Sequence, residues 1–311
     1  MIMTYDIDKE LRILKALTYE KFSKRRRITN ILMNFSMIFA KPVKGMKIKK
    51  YSIKGYRDHR IKVYLIKHRK QNNLKKGLLY LHGGSFQLEG TPFHIRNLSK
   101  IALNSGYNAV YVKYKLAPKY AFPEGLEDSY KAYIWIKENA DKLNIDKNSI
   151  AVGGDSAGGN LAIGVTLLVR DRLKEKVNKV LLFYPVIDHR QVTNSIKIYT
   201  DTPVWNSLLN KDMWETYLIN GDFGMIEYAS FINSNLRDFP ETYIETAEYD
   251  CLRDEGILFA ERLKSLNVKV YERHTKHSVH GYDGVFYSKF MKRRIKDRSA
   301  FLLGVLNDEE N

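Results

Sequence analysis

The chain has 311 residues, of which 44% are hydrophobic and 28% charged, and a formal net charge of +17. That length suits one large domain or a core with a substantial insertion, and the apolar content excludes disordered, fibrous and repetitive classes. A single cysteine, Cys251, excludes an intramolecular disulfide and suits a reducing compartment, so a cytoplasmic protein is expected.

The first residues, MIMTYDIDKE, are acidic where a signal peptide would be basic and then apolar. The apolar stretch 31–40 contains Asn34 and Ser36 and is too short to cross a bilayer. Charge is concentrated early: residues 1–76 hold 22 Lys and Arg against 5 Asp and Glu, and the remainder is neutral. A block such as Lys24-Arg25-Arg26-Arg27 could attract nucleic acid or an anionic membrane, but solvated faces of helices and early strands are the expectation. No zinc-finger spacing or RNP-like aromatic motif accompanies the charge, so no nucleic-acid partner is expected. Residues 1–45 read as a basic, helical cap segment. Within it, Phe35, Met37, Ile38 and Phe39, followed by Lys41 and Lys44, read first as the inner face of a cap helix. Peripheral contact with an anionic membrane surface is the second reading.

From Gly77 onward short apolar runs alternate with segments of helical period. Strands are predicted at 78–81, 109–112, 150–152, 180–183, 242–245 and 268–272. A helix is predicted over 125–143, with Tyr130, Tyr133, Ile134 and Ile136 on its inner face. This rhythm predicts an α/β fold with a mostly parallel sheet flanked by helices, and ligands gather beyond the carboxyl ends of such strands. Residues 187–235, rich in Trp, Tyr and Asn, break the alternation and read as a cap insertion into a core of 46–186 and 236–311.

Four strand ends carry polar residues. After 78–81 comes His82-Gly83-Gly84-Ser85-Phe86, and after 150–152 comes Gly154-Asp155-Ser156-Ala157-Gly158, a G-x-S-x-G match. Asp250 follows 242–245, and His277-Ser278-Val279-His280-Gly281-Tyr282 follows the last strand. A serine hydroxyl is a poor nucleophile without a base in hydrogen-bond reach. On a strained strand-to-helix elbow, glycines at ±2 make room for the turn, and the helix that starts at 157 aims its amide end at developing negative charge. Backbone N–H groups of Gly83, Gly84, Ser85 and Ala157 are the candidate oxyanion donors. Histidine would relay the proton while a carboxylate fixes its tautomer, and the order Ser156, Asp250, His280 is the one expected of this chemistry. His274 and His277 compete with His280, which is preferred because it precedes a glycine in a loop. Asp254 competes with Asp250, which comes first after its strand. His82 reads as an organiser of the oxyanion loop. The glycine run 153–158 has P-loop spacing without the following Lys and Ser or Thr, so a nucleotide cradle is not supported.

Together these motifs resemble the hormone-sensitive-lipase-like branch of the α/β-hydrolases, the bacterial family IV esterases. The resemblance rests on His82-Gly83-Gly84, Tyr114-Lys115-Leu116-Ala117-Pro118 with Phe122-Pro123, Gly154 to Asn160, Asp250 to Gly256, and His280-Gly281-Tyr282, and covers roughly residues 75–290. It implies Ser156 as nucleophile, Asp250 as orienting acid and His280 as base. It also implies hydrolysis of small-molecule carboxylic esters with short to medium acyl chains, and no metal or organic cofactor. Acetyl-sugar deacetylation and amide cleavage use the same machinery. The family also contains non-catalytic small-molecule receptors, which typically lack the histidine that is present here. Two departures stand out: Ser85 replaces the usual third glycine, and Cys251 replaces a usual proline. In the cap, Trp205, Trp214, Tyr217 and Phe223 are candidate walls of the acyl pocket. Nothing in the sequence sets the oligomeric state.

Overall fold

The computed structural model describes residues 4–17, 26–70 and 73–307. Eight strands form one sheet: β1 (Met46–Lys54), β2 (Arg60–His68), β3 (Lys75–Leu81), β4 (Asn108–Lys113), β5 (Ile145–Asp155), β6 (Val180–Phe183), β7 (Thr242–Tyr249) and β8 (Val270–Val279). Their spatial order is β1-β2-β4-β3-β5-β6-β7-β8. The β1–β2 and β2–β4 pairings are antiparallel and the other five are parallel. Helices of eight or more residues are α1 (Arg26–Ser36), α2 (Pro92–Ser105), α3 (Glu124–Glu138), α4 (Ala157–Leu168), α5 (Ser207–Tyr217), α6 (Arg253–Ser265) and α7 (Lys289–Leu303).

All six predicted strands are present. The central ones, β3 to β6, read as near-continuous apolar runs because both sheet faces are covered, giving two apolar cores, one on each side. Two strands precede them. In β1 the lysines at 47 and 49 are exposed, alternating with buried Met46 and half-buried Ile48, so the basic stretch is the solvated side of an edge hairpin. The final strand lies later than predicted, at Val270–Val279 rather than 268–272. Its later half alternates, with Thr275 buried and Lys276 exposed, so it lacks the apolar run that marks a central strand. The predicted helix over 125–143 is α3 followed by a separate turn at Ala140–Leu143. Tyr130, Tyr133 and Ile136 are buried as expected.

The segment 4–17 lies across the carboxyl end of the sheet. Its Asp8 amide donates to the His277 carbonyl at 2.8 Å, and the Val204 amide of the 187–235 segment donates to the Leu17 carbonyl at 2.6 Å. Tyr5 adds a hydrogen bond to Asp201. Helix α1 behaves differently from the expected inner-face helix. Met37, just after it, is buried, but Ile28, Ile31, Leu32, Phe35, Ile38 and Phe39 are each at least 60% exposed. No helix among the described residues is long and apolar enough to cross a membrane.

Candidate active site

Strand β5 ends at Asp155 and α4 begins at Ala157, which leaves Ser156 to make the whole reversal. Its φ of 54° and ψ of −123° are unfavourable for a side-chain-bearing residue. The neighbouring glycines make the turn sterically feasible. A Cβ on Gly158 would collide with the carbonyls of Leu81 and His82, and one on Gly154 with the Gly158 carbonyl. The elbow is tied down on both flanks. The Ser156 amide donates to the Phe183 carbonyl at 2.8 Å, and the Asn160 side chain donates to the carbonyls of Val186 and Ala229 at 3.0 and 2.7 Å.

The three residues singled out for catalysis come together from three strand ends. Ser156 Oγ lies 2.8 Å from His280 Nε2, and His280 Nδ1 lies 2.7 Å from Asp250 Oδ2. Asp250 is fully buried, and its other oxygen accepts the Leu252 amide at 3.0 Å. That carboxylate makes Nδ1 the protonated nitrogen, so Nε2 faces the serine as an acceptor. The imidazole is held from its sides as well, by the edge of Tyr184 at 4.7 Å and by Trp205 at 5.9 Å between ring centroids. Cys251, beside Asp250, is buried, and burial with the adjacent carboxylate pushes its thiol well above the ordinary value. It is an inert packing residue.

The competitors are elsewhere. His277 is half-exposed, with its ring directed at Asp6, and His274 pairs with Thr246 and Glu272. Asp254 accepts the Ser195 amide at 2.7 Å and pairs with Arg253.

The loop after β3 approaches the elbow closely. A Cβ on Gly83 would strike the Asp155 carboxylate, and Gly84 has a φ of +123°, so both positions require glycine. Among the described residues, the amides of Gly83, Gly84, Ser85 and Ala157 donate to no protein acceptor. The first three line the cavity over Ser156. Ser85 turns its hydroxyl back to the Gly84 carbonyl at 2.7 Å. One of the quoted motifs, Tyr114 to Pro118, braces this loop at two points. Tyr114 donates to the His82 carbonyl at 2.6 Å, and the Ala117 amide donates to the Phe86 carbonyl at 2.9 Å.

His82 is stacked between Tyr111 and Tyr114. Its Nδ1 donates to the Gly83 carbonyl at 2.7 Å, and burial, together with nearby His94, drives its pKa down to about 4. It is therefore neutral at pH 7, in a shape that holds the loop. Asp155 beneath the elbow shows the opposite balance. Burial raises its carboxyl, but His94 and the Tyr80 hydroxyl outweigh that and hold it at about 2.

The cavity measures about 330 Å³. Trp205 lines it, as expected. Trp214 and Tyr217 do not: both are buried, packed with Phe86 behind the oxyanion loop, and Phe223 is exposed. The i, i+3 spacing on α5 turns these two rings to one side, against Phe86 and Phe122. Four lining residues that the sequence analysis missed, Leu14, Leu17, Thr29 and Met33, come from the N-terminal segment. No local signal marks them, because they reach the site only by tertiary contact. No cluster of three or more metal-ligating side chains is disposed to hold an ion among the described residues.

Comparison with known proteins adds independent findings. A family model described as alpha/beta hydrolase fold matches residues 78–284. Carboxylesterase NlhH of Mycobacterium tuberculosis is 33% identical over 213 residues, covering 66% of this chain and 66% of that protein. A putative alpha/beta hydrolase, R526, of Acanthamoeba polyphaga mimivirus is 31% identical over 66% of this chain and 60% of its own length. The chain thus spans 60–66% of the length of these curated relatives. Among solved structures, a bacterial heroin esterase superposes with a TM-score of 0.86 at 29% identity, covering 97% of this chain and 98% of that one.

Proposed function

The chain belongs to the alpha/beta hydrolase fold family, and from that premise we propose that it is a serine carboxylesterase acting on small-molecule esters of short to medium acyl chains. The observation that carries the reading is the unbroken relay from Ser156 through His280 to Asp250, at the floor of an apolar cavity. Ser156 Oγ attacks the ester carbonyl as its proton passes to His280 Nε2. The tetrahedral oxyanion takes hydrogen bonds from the uncommitted amides of Gly83, Gly84, Ser85 and Ala157, which cost no reorganisation during the reaction. The alcohol leaves with the proton from His280. Water, deprotonated by the same nitrogen, then cleaves the acyl-serine and restores the hydroxyl. Asp250 stays ionised throughout, orienting the ring and stabilising the imidazolium.

Residues 4–17, 26–45 and 187–235 act as a cap on this reading, the rest of 1–45 lying outside the described residues; the contacts between Val204 and Leu17 and between Tyr5 and Asp201 support this division. The single, buried Cys251 suits a cytoplasmic setting. A receptor that only binds would have no use for the relay. Cleavage of an amide or an acetyl ester would use the same atoms; the first member of the ester series reads the acetyl case, and p-nitroacetanilide beside it reads the amide.

The test is turnover of p-nitrophenyl esters from acetyl to dodecanoyl. A cavity of about 330 Å³ that also holds the alcohol favours short acyl chains, so kcat/KM should peak there and fall by about tenfold or more at dodecanoyl. Absent turnover across the series would refute the esterase assignment, and a flat profile would refute the short-chain preference. The choice between histidines has its own check. His277→Ala, whose ring is directed at Asp6 and not at the relay, should keep kcat within about twofold, whereas His280→Ala should lose about 10³-fold or more. Equal losses would mean that the wrong imidazole has been given the base's role.

A further inference from the structure

Helix α1 is amphipathic with its faces reversed. Three of its polar residues bind the protein: Asn30 donates to the Gln87 carbonyl at 2.8 Å and accepts the Glu89 amide at 2.9 Å, Asn34 donates to Glu89 at 2.9 Å, and Arg26 donates to Gln87 at 2.7 Å. Its apolar residues Ile28, Ile31, Leu32 and Phe35 recur at i, i+3, i+4 and i+7, which places them on one stripe, and that stripe faces solvent at 60–63% exposure. Ile38 and Phe39 extend it, with the Phe39 ring 5.5 Å from Phe35. A helix normally buries such a stripe, and large contiguous apolar patches on soluble proteins mark interaction sites. Cations flank it at both ends, exposed Arg27 before and exposed Lys41 and Lys44 after, and residues 26–50 hold seven Lys and Arg and no acidic residue. The same helix lines the cavity over Ser156 through Thr29 and Met33.

We propose that the outer face of α1, continued through Phe39, is a docking surface for an anionic lipid interface, which seats the mouth of the catalytic cavity against the lipid. An apolar stripe framed by cations and held to the protein by its polar face matches what an interfacial helix requires, with apolar side chains among acyl chains and basic residues among anionic headgroups. The docking surface stands on this geometry alone. Its use, to admit lipophilic esters along a helix that borders both lipid and cavity, rests on the esterase reading.

The experiment is flotation of the full chain with phosphatidylcholine vesicles, with and without about one-third phosphatidylglycerol, at low and high salt. Turnover of soluble p-nitrophenyl butyrate is read on the same samples. Wild type should float with anionic vesicles about tenfold more than with neutral ones, and salt should weaken the binding. Leu32→Ser/Phe35→Ser should cut binding about tenfold or more, while soluble turnover stays within about twofold because neither residue lines the cavity. Arg27→Gln/Lys41→Gln/Lys44→Gln should lose the preference for anionic lipid. Failure to float at low salt, or undiminished flotation of the serine variant, overturns the proposal. So does a wild-type dimer that the serine variant converts to monomer, since a second copy would then be what covers the stripe. Vesicle binding without butyrate turnover would leave the docking surface standing and refute only the esterase reading.

Discussion

Ser156→Ala should lower kcat on a short-chain ester by about 10⁴-fold or more while leaving the unfolding midpoint within about 1 kcal/mol of wild type. The substitution removes one oxygen, whose one hydrogen bond among the described residues is to His280 Nε2, and keeps the Cβ that the elbow already accommodates. The strained φ of 54° persists, because it is imposed by the Phe183 carbonyl and by the packing of Gly154 and Gly158 against β3. Stability therefore barely changes. Activity collapses because, among the described residues, the nearby candidate nucleophiles are disabled: Ser85 Oγ is committed to the Gly84 carbonyl, and Cys251 is buried beside Asp250 with its thiol pushed away from thiolate. Some rate above water should remain, since the amides of the oxyanion loop still stabilise a tetrahedral centre attacked by water. The measurement is kcat with stoichiometric active-site titration, so that a trace of wild-type enzyme is not mistaken for residual catalysis. A variant with more than about a tenth of wild-type kcat would dismiss Ser156 as nucleophile.

Much of the candidate site could be read from the sequence because the geometry of its elbow restricts residue type. A nucleophile on a strained elbow needs glycines at 154 and 158, and the structure shows the backbone carbonyls that any larger side chain would strike. The parallel core strands announce themselves as apolar runs for an equally direct reason, since both faces are buried. Other features depend on relations that a single chain does not display. The reversed orientation of α1 is one. Its period-3.6 stripe is plain in the letters, but which side the stripe faces is decided by Asn30, Asn34 and Arg26 finding partners at 87–89, some sixty residues away. Trp214 is another. Aromatic residues in the 187–235 segment look alike in sequence, yet Trp205 reaches the cavity while Trp214 is turned behind the oxyanion loop. The lysine-rich β1 hides because an edge hairpin with a solvated face has the composition of a loop. The late half of β8 hides for a related reason, its polar residues alternating outward on an edge strand.

The second large effect concerns a residue with no motif around it. Arg298 on α7 is the largest fully buried side chain among the described residues, with its guanidinium 3.5 Å above the Phe183 ring. It binds two carboxylates at once, Glu245 Oε1 at 3.0 Å and Asp283 Oδ1 at 2.6 Å, with its remaining donors on their second oxygens. Tyr243 and Tyr282 hydroxyls complete Glu245, and Tyr184 donates to Asp283 at 2.7 Å. Burial alone would lower the guanidinium pKa and raise that of Glu245, but their mutual attraction reverses both shifts, raising Arg298 and lowering Glu245. Arg298→Ala would strand two buried carboxylates beside a cavity, and should cost about 3–5 kcal/mol at pH 7. The loss has a pH signature. With its folded pKa depressed, Glu245 contributes stability above the ordinary carboxylate range, and wild type loses that contribution as pH falls through the lowered value. In the variant the stranded carboxylates are most costly when charged, and protonation relieves them. The gap between the two proteins should therefore narrow from pH 7 toward about pH 4, where a simple cavity would leave it unchanged. Urea midpoints across that range decide the matter. The network also reaches the reaction, because the Tyr184 that Asp283 holds is the ring set edge-on against His280. Arg298→Lys keeps one charge but not the two-carboxylate fork, so it should regain part of the stability while kcat stays below wild type. A variant that unfolds at the wild-type midpoint at every pH would mean that this buried ion cluster holds nothing together.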